Sequence, residues 1–471
     1  MSELKDLLTH IDNSATVDGS VVKVKDIAGF RTNISKLVEA SALGSGGTQS
    51  WARFIVRAAA LELGIIPSSI HELYLARSRG EIPLTFTTPA LNLRVLSYHG
   101  ARAVFRVAKR MNAGAFIIEI ARSEIGYTAQ RPAEYTTNIL AAAIAELWTG
   151  PIFLQGDHFQ VSTKKFAADP QAEINAVKDL TTEAIAAGFF NIDIDTSTLV
   201  DISKPTVSEQ QKINAELCAE FSAYIRQHEP RGLTISVGGE IGEVGGHNSN
   251  EMELRAFMDG YNAEMKKRAA GRPGLSKISI QTGTSHGGTV LPDGSIAEVG
   301  IEFDTLRELS RVARRDYKLG GTVQHGASTL PEDAFHKFVE NEAIEVHLAT
   351  NFMNMFYDNV PAGLKKEMYE WLDKNYASER KPSMTDEQFY YKMRKNAVGP
   401  FKPQAYAMPV FAREELEASW ESQFDRIFSL LGVGGTSQYV EKFVNPMIVH
   451  PKLSDYIAES TVAEDTSDLA D

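Results

Sequence analysis

The chain has 471 residues, 43% of them hydrophobic, and its 61 Asp+Glu against 48 Lys+Arg give a net charge of −13. This excludes a mainly disordered or collagen-like chain and leaves no basic stripe for nucleic acid. A single cysteine, Cys218, excludes an internal disulfide and a Cys-based zinc knuckle, and no apolar run approaches the ~20 residues that cross a bilayer.

The N-terminus lacks the basic-then-apolar pattern of a signal peptide, which with the lone cysteine fits a reducing cytoplasm. Residues 1–81 read as an N-terminal, mostly helical extension around a loop, Gly44-Ser45-Gly46-Gly47. From residue 82 a short β-branched run and a longer helical run alternate. Strands are expected at 82–91, 113–121, 151–156, 189–194, 233–238, 277–281, 321–323 and 343–348. Helices are expected at 97–110, 133–147, 170–187, 207–228, 250–270, 304–316 and 331–340, where Leu, Ile, Ala and Phe recur at helical spacing. Eight such units predict a (β/α)8 barrel over 82–358, with an open doubly wound sheet as the alternative. A C-terminal helical extension follows over 359–460, with a charged linker at 377–386. The Gly-rich run 432–435 lacks a following Lys-Ser/Thr and reads as a loop. An acidic tail, 461–471, is expected to be disordered.

Polar residues gather at the C-terminal end of each expected strand, where barrel enzymes place their sites. They are Asn92, Ser123, Asp157-His158, Asp195, Glu240, His286, His325 and Thr350. Three of them, His158, His286 and His325, come from separate strands and converge on one mouth. Three imidazoles with an open fourth position make a catalytic zinc site, and zinc there is a Lewis acid for a carbonyl. Asp157 suits general acid/base work, although strand alternation turns it away from His158 unless the chain bends there. Asp195 and Glu240 either steady the ligands or hold a second divalent or monovalent cation. Asp195 also suits a turn or helix cap, in Asp195-Thr196-Ser197. Turns at Gly287-Gly288 and Gly326-Ala327-Ser328 can cradle phosphate.

These elements, from Thr88-Pro89-Ala90-Leu91-Asn92 through Asp157-His158, Ser285-His286-Gly287 and His325-Gly326-Ala327-Ser328 to Leu348-Ala349-Thr350, resemble the class II, zinc-dependent ketose-bisphosphate aldolases. The resemblance covers the barrel and not the flanks. It implies zinc on His158, His286 and His325, with Glu240 and Asp195 beside the metal. It implies Asp157 as the acid/base at the C4 hydroxyl, Asn92 and Ser123 as substrate contacts, and Gly287, Gly326, Ser328 and Thr350 as the phosphate cradle. The implied activity is cleavage of a sugar bisphosphate, fructose or tagatose 1,6-bisphosphate, in glycolysis or related carbohydrate metabolism. The implied assembly is a homo-oligomer, dimer or tetramer.

Two positions depart from that pattern. His347 stands where the family has a substrate-contacting Asn and is expected to bind substrate in its place. On the loop after the fifth strand, His247 follows Gly245-Gly246 where the family has a proton-carrying Glu; Glu243, His247 or Glu251 can substitute. The unperturbed imidazole pKa of ~6.5 suits proton transfer in both directions, so His247 is the first choice. The second departure also admits a ketose 4-epimerase, which cleaves the C3–C4 bond and re-forms it without proton transfer at C3. A third reading is an aldolase-like subunit without activity; the complete histidine trio argues against it.

Overall fold

The computed structural model describes residues 2–242, 247–283, 291, 300–327, 330–331, 334–456, 466 and 468–469. Eight parallel strands form the barrel: β1 Thr88–Asn92, β2 Ile117–Ala121, β3 Gly150–Gln160, β4 Asn191–Asp195, β5 Ser236–Glu240, β6 Lys277–Ile280, β7 Thr322–Gln324 and β8 Glu345–Leu348. Each pairs with the next, and β8 pairs with β1 through Glu345↔Thr88 and Leu348↔Leu91, which closes the cylinder. All eight expected strands are present. β1 starts at Thr88 rather than at 82, because the chain before it pairs elsewhere: Arg77 Nη1 donates to Phe86 O at 2.6 Å. The expected helix at 331–340 is regular only over His336–Glu340 among the described residues. That at 207–228 is two helices, Val207–Gln210 and Lys212–His228.

Strand alternation divides the barrel into two environments. Leu91, Ile118, Ile120, Leu154, Ile192, Ile194, Ile278, Val346 and Leu348 are buried in the hydrophobic core. The alternate positions, Asn92, Glu119, Gln155, Asp157, Asp193, Asp195, Lys277, Ser279, Glu345 and His347, are equally buried yet polar. The interior of this barrel is therefore a hydrogen-bonded ionic core.

The flanks close the ends and sides. A hairpin pairs Ala15–Asp18 with Val21–Val24, an element absent from the sequence expectation. Of the expected loop 44–47, Gly46 and Gly47 instead open the helix Gly46–Glu62. The segment Ile65–Pro67 pairs with the start of β3, and the helix His71–Ser78 sends the Tyr74 hydroxyl to Glu345 across the barrel floor. On the outside, the long helix Val410–Leu430 of the C-terminal extension lies along the helix Ser97–Met111. Arg106 and Arg110 reach Glu417, Glu421 and Asp425 there. Most of the acidic tail lies outside the described residues; Thr466 Oγ1 donates to Ser123 O at 3.3 Å, and the Ser162 hydroxyl donates to Asp468. Among the described residues no helix is long and apolar enough to cross a membrane.

Candidate active site

The site is built on a break in one strand. The β3–β4 register runs Gly156↔Ile192 and then Phe159↔Ile194, so β3 carries one extra residue. The extra residue is a β-bulge, and His158 occupies the left-handed region at φ +38. A bulge cancels the alternation of a regular strand. This is the bend that lets adjacent residues, Asp157 and His158, face the same mouth. Gly156 makes it feasible: the Phe159 ring lies where a Cβ at 156 would stand, 2.5 Å away.

Asp157, His158 and His325 each offer a ligand atom within 4.8 Å of the others, and so do His158, Asp195 and Glu240. The His158 and His325 rings are 4.1 Å apart between centroids. His158 Nδ1 meets Asp195 Oδ2 at 3.2 Å, which fixes the ring and turns Nε2 toward Asp157, 3.9 Å away. His325 Nε2 meets Ser279 Oγ at 3.0 Å. Two imidazoles among three carboxylates are a donor set that suits zinc. Burial pushes the His158 imidazole pKa down, but Asp157, Asp195 and Glu240 outweigh it and raise it to about 10. The same negative field favours a metal cation on that ring. Burial, with Asp195 beside it, pushes Glu240 up to about 8. Asp195 Oδ1 accepts from Ser197 N at 3.0 Å in a turn, and Oδ2 meets His158 Nδ1 at 3.2 Å.

Asp157 is gripped at both oxygens. Asn92 Nδ2 donates to Oδ2 at 2.9 Å, and His347 Nδ1 meets Oδ1 at 3.1 Å. Burial opposes the charge, but His158, His347 and His325 hold the carboxyl well below the usual carboxylate range. Asn92 is held in turn by Glu124 Oε2 at 3.0 Å, and Arg94 pairs with Glu124. Beneath them Lys277 Nζ donates to Gln155 Oε1 at 2.8 Å and pairs with Asp193 and Glu345.

The structure thus brings together Asn92, Asp157, His158, Asp195, Glu240, His325 and His347. Ser123 lies in the first turn of the helix after β2, Thr350 opens the helix after β8, and Gly326, at φ +69, follows His325. His247 is apart from this group: its ring is more than half exposed, and Nε2 meets Glu253 Oε1 at 2.9 Å. Glu243, His286, Gly287 and Ser328 lie outside the described residues. Sequence reasoning missed Glu119, Glu124, Asp193, Lys277 and Glu345. For all but Glu124, which lies on the helix Arg122–Thr128, the signal was a charge inside an apolar strand, as in Ile118-Glu119-Ile120 and Ile192-Asp193-Ile194.

The model of a family described as fructose-bisphosphate aldolase class-II matches residues 85–410. Among solved structures, fructuronate-tagaturonate epimerase UxaE from Cohnella laeviribosi is 12% identical with a TM-score of 0.53, covering 90% of each chain. Fructose-bisphosphate aldolase from Campylobacter jejuni is 17% identical, TM-score 0.47, over 79% of this chain and 97% of that one. The YdjI aldolase from Escherichia coli K12 is 14% identical, TM-score 0.42, over 79% and 99%. At such identities the likeness to the epimerase structure is one of fold. No curated protein matches the sequence.

Proposed function

The chain belongs to the class-II fructose-bisphosphate aldolase family, and from that premise we propose that it cleaves and condenses a ketose 1,6-bisphosphate, fructose 1,6-bisphosphate foremost, with zinc as cofactor. The observation that carries the reading is the bulge that sets Asp157 and His158 side by side against His325. His158, His325 and His286 would hold the ion, with Glu240 and Asp195 beside them. When bound, zinc supplies a Lewis acid for the ketone oxygen on which charge gathers as the carbon–carbon bond breaks.

The chain's own residues do the rest. Asp157, fixed by Asn92 and His347, takes the proton of the C4 hydroxyl as general base. The oxygen's electron pair closes to a carbonyl, the C3–C4 bond breaks, and glyceraldehyde 3-phosphate departs. A proton returned to C3 yields dihydroxyacetone phosphate; His247 is the first choice for that transfer, with Glu243 or Glu251 as substitutes. Ser123 is assigned to the substrate, and Gly287, Gly326, Ser328 and Thr350 to the phosphate. Lys277 is no rival as a Schiff-base nucleophile. Its ammonium is buried, Asp193 and Glu345 outweigh the burial and raise its pKa, and Asp193, Glu345 and Gln155 accept from it.

A second reading has its own support. The epimerase structure matches this chain over 90% of both lengths, and His247 replaces the glutamate of the family's loop. A 4-epimerase would use Asp157 for the same cleavage, turn the aldehyde and re-form the bond. The test is incubation with fructose and tagatose 1,6-bisphosphates. Release of triose phosphates supports the aldolase; interconversion of the two sugars without solvent exchange at C3 supports the epimerase.

A further inference from the structure

The ionic core under the mouth has no part in the cleavage as written, yet it reaches the reacting groups through one side chain. His347, on β8, is 4% exposed. Its Nδ1 lies 3.1 Å from Asp157 Oδ1 and 3.1 Å from Glu119 Oε1. Its Nε2 lies 2.6 Å from Glu345 Oε1 and 3.7 Å from Asp193 Oδ2. Its ring packs at a tilt against His325, with centroids 4.1 Å apart. We propose that His347 is a positioning residue for Asp157: a buried ring, anchored at Nε2 by Glu345, whose Nδ1 fixes the Asp157 carboxylate beside the metal ligands. The proposal rests on the function assigned above.

Three observations carry it. The ring bridges the ionic core and the reacting carboxylate, Nε2 to Glu345 Oε1 at 2.6 Å and Nδ1 to Asp157 Oδ1 at 3.1 Å. The ring has no freedom to follow a substrate, because Glu345 anchors Nε2 and is itself held by Lys277, Gln155 and Tyr74. The grip on Asp157 is two-sided, His347 on Oδ1 and Asn92 on Oδ2, which defines its rotamer. His347 therefore does not take over the substrate contact that the family's Asn makes at this position; it acts through Asp157.

The experiment compares His347→Ala with His347→Asn, whose amide can donate from near the place of Nδ1. A positioning role predicts that His347→Ala loses kcat by the ~10²-fold scale of acid/base catalysis, while KM and zinc content hold. It predicts that His347→Asn recovers most of the loss. Independently of activity, the zinc content and the thermal melt of His347→Asn should match those of the wild type. A rise in KM with kcat intact would make His347 a substrate contact. Loss of zinc and of thermal stability, with no rescue by Asn, would make it scaffolding. If the wild type cleaves no ketose phosphate, the assigned function fails, while the zinc content and thermal melts of the variants still decide whether His347 is scaffolding.

Discussion

Asp157 and Lys277 sit in the same barrel and are fixed for opposite work. Asp157→Asn is expected to lower kcat ~10²–10⁴-fold while zinc stays bound, since the residue is assigned to proton transfer. Steady-state kinetics with metal analysis checks this, and a variant with normal turnover would remove the assignment. Borohydride with substrate should trap no adduct on Lys277, read by mass spectrometry of the intact chain. The sequence exposed Asp157, His158 and His325 because each sits beside Gly or a second polar residue at a strand end. It did not expose the partners of Lys277. A charged residue inside a strand reads as an outward-facing position until the closed barrel is known to have a polar interior. Only the three-dimensional pairing of Glu119, Gln155, Lys277 and Glu345 makes their charges compatible with burial.

At the scale of elements, the bulge in β3 is the feature on which the site depends. A methyl group at Gly156 would meet the buried Phe159 ring at 2.5 Å, so Gly156→Ala has to shift the bulge or the ring. The expected outcome is a loss of roughly 1–3 kcal/mol of stability, the usual cost of overpacking, together with weaker zinc binding. Denaturant unfolding and metal titration measure the two, and zinc affinity unchanged at lowered stability would separate bulge from site. Helical period and strand runs located nearly every barrel element, but nothing in a single sequence marks a bulge that turns two neighbours to one side. The N-terminal hairpin was different: Val17-Asp18-Gly19-Ser20-Val21 carries the two-residue turn signal in plain view, with Gly19 at φ +58. The loop after β5 remains the site of a separable prediction. His247→Ala should abolish exchange of the C3 proton of dihydroxyacetone phosphate with solvent while leaving the zinc content unchanged. Unchanged exchange would move the role to Glu243 or Glu251.

Across the whole molecule, the extensions hold the barrel from outside. Glu417 on the long helix of the C-terminal extension meets Arg102 at 3.0 Å and is bonded to His99 and Arg106. Burial alone would raise its pKa, but these partners bring it down to about 2. A carboxylate depressed below its unfolded value of ~4.3 adds stability that is full above that pH and is lost as the pH falls toward the folded value. Thermal melts of Glu417→Gln should therefore lie below wild type at neutral pH and converge with it at acid pH; a constant gap would show that the contact does not depend on this charge. The long helix also buries Trp420, Phe424 and Phe428, and the backbone after it accepts Thr87 N at 3.0 Å, next to β1. This dependence of the barrel on distant chain was not legible, because an amphipathic helix announces a buried face and not the surface that receives it.

The central claim is metal-dependent carbon–carbon cleavage at the Asp157–His158 bulge. Its most direct measurement is triose phosphate release from fructose 1,6-bisphosphate by the full chain, stripped by a strong chelator and then given back zinc. The account predicts no release from the stripped protein and recovery on adding zinc, with His158→Ala unable to recover. Full cleavage by the metal-free protein, or none by the zinc-restored one, would contradict it.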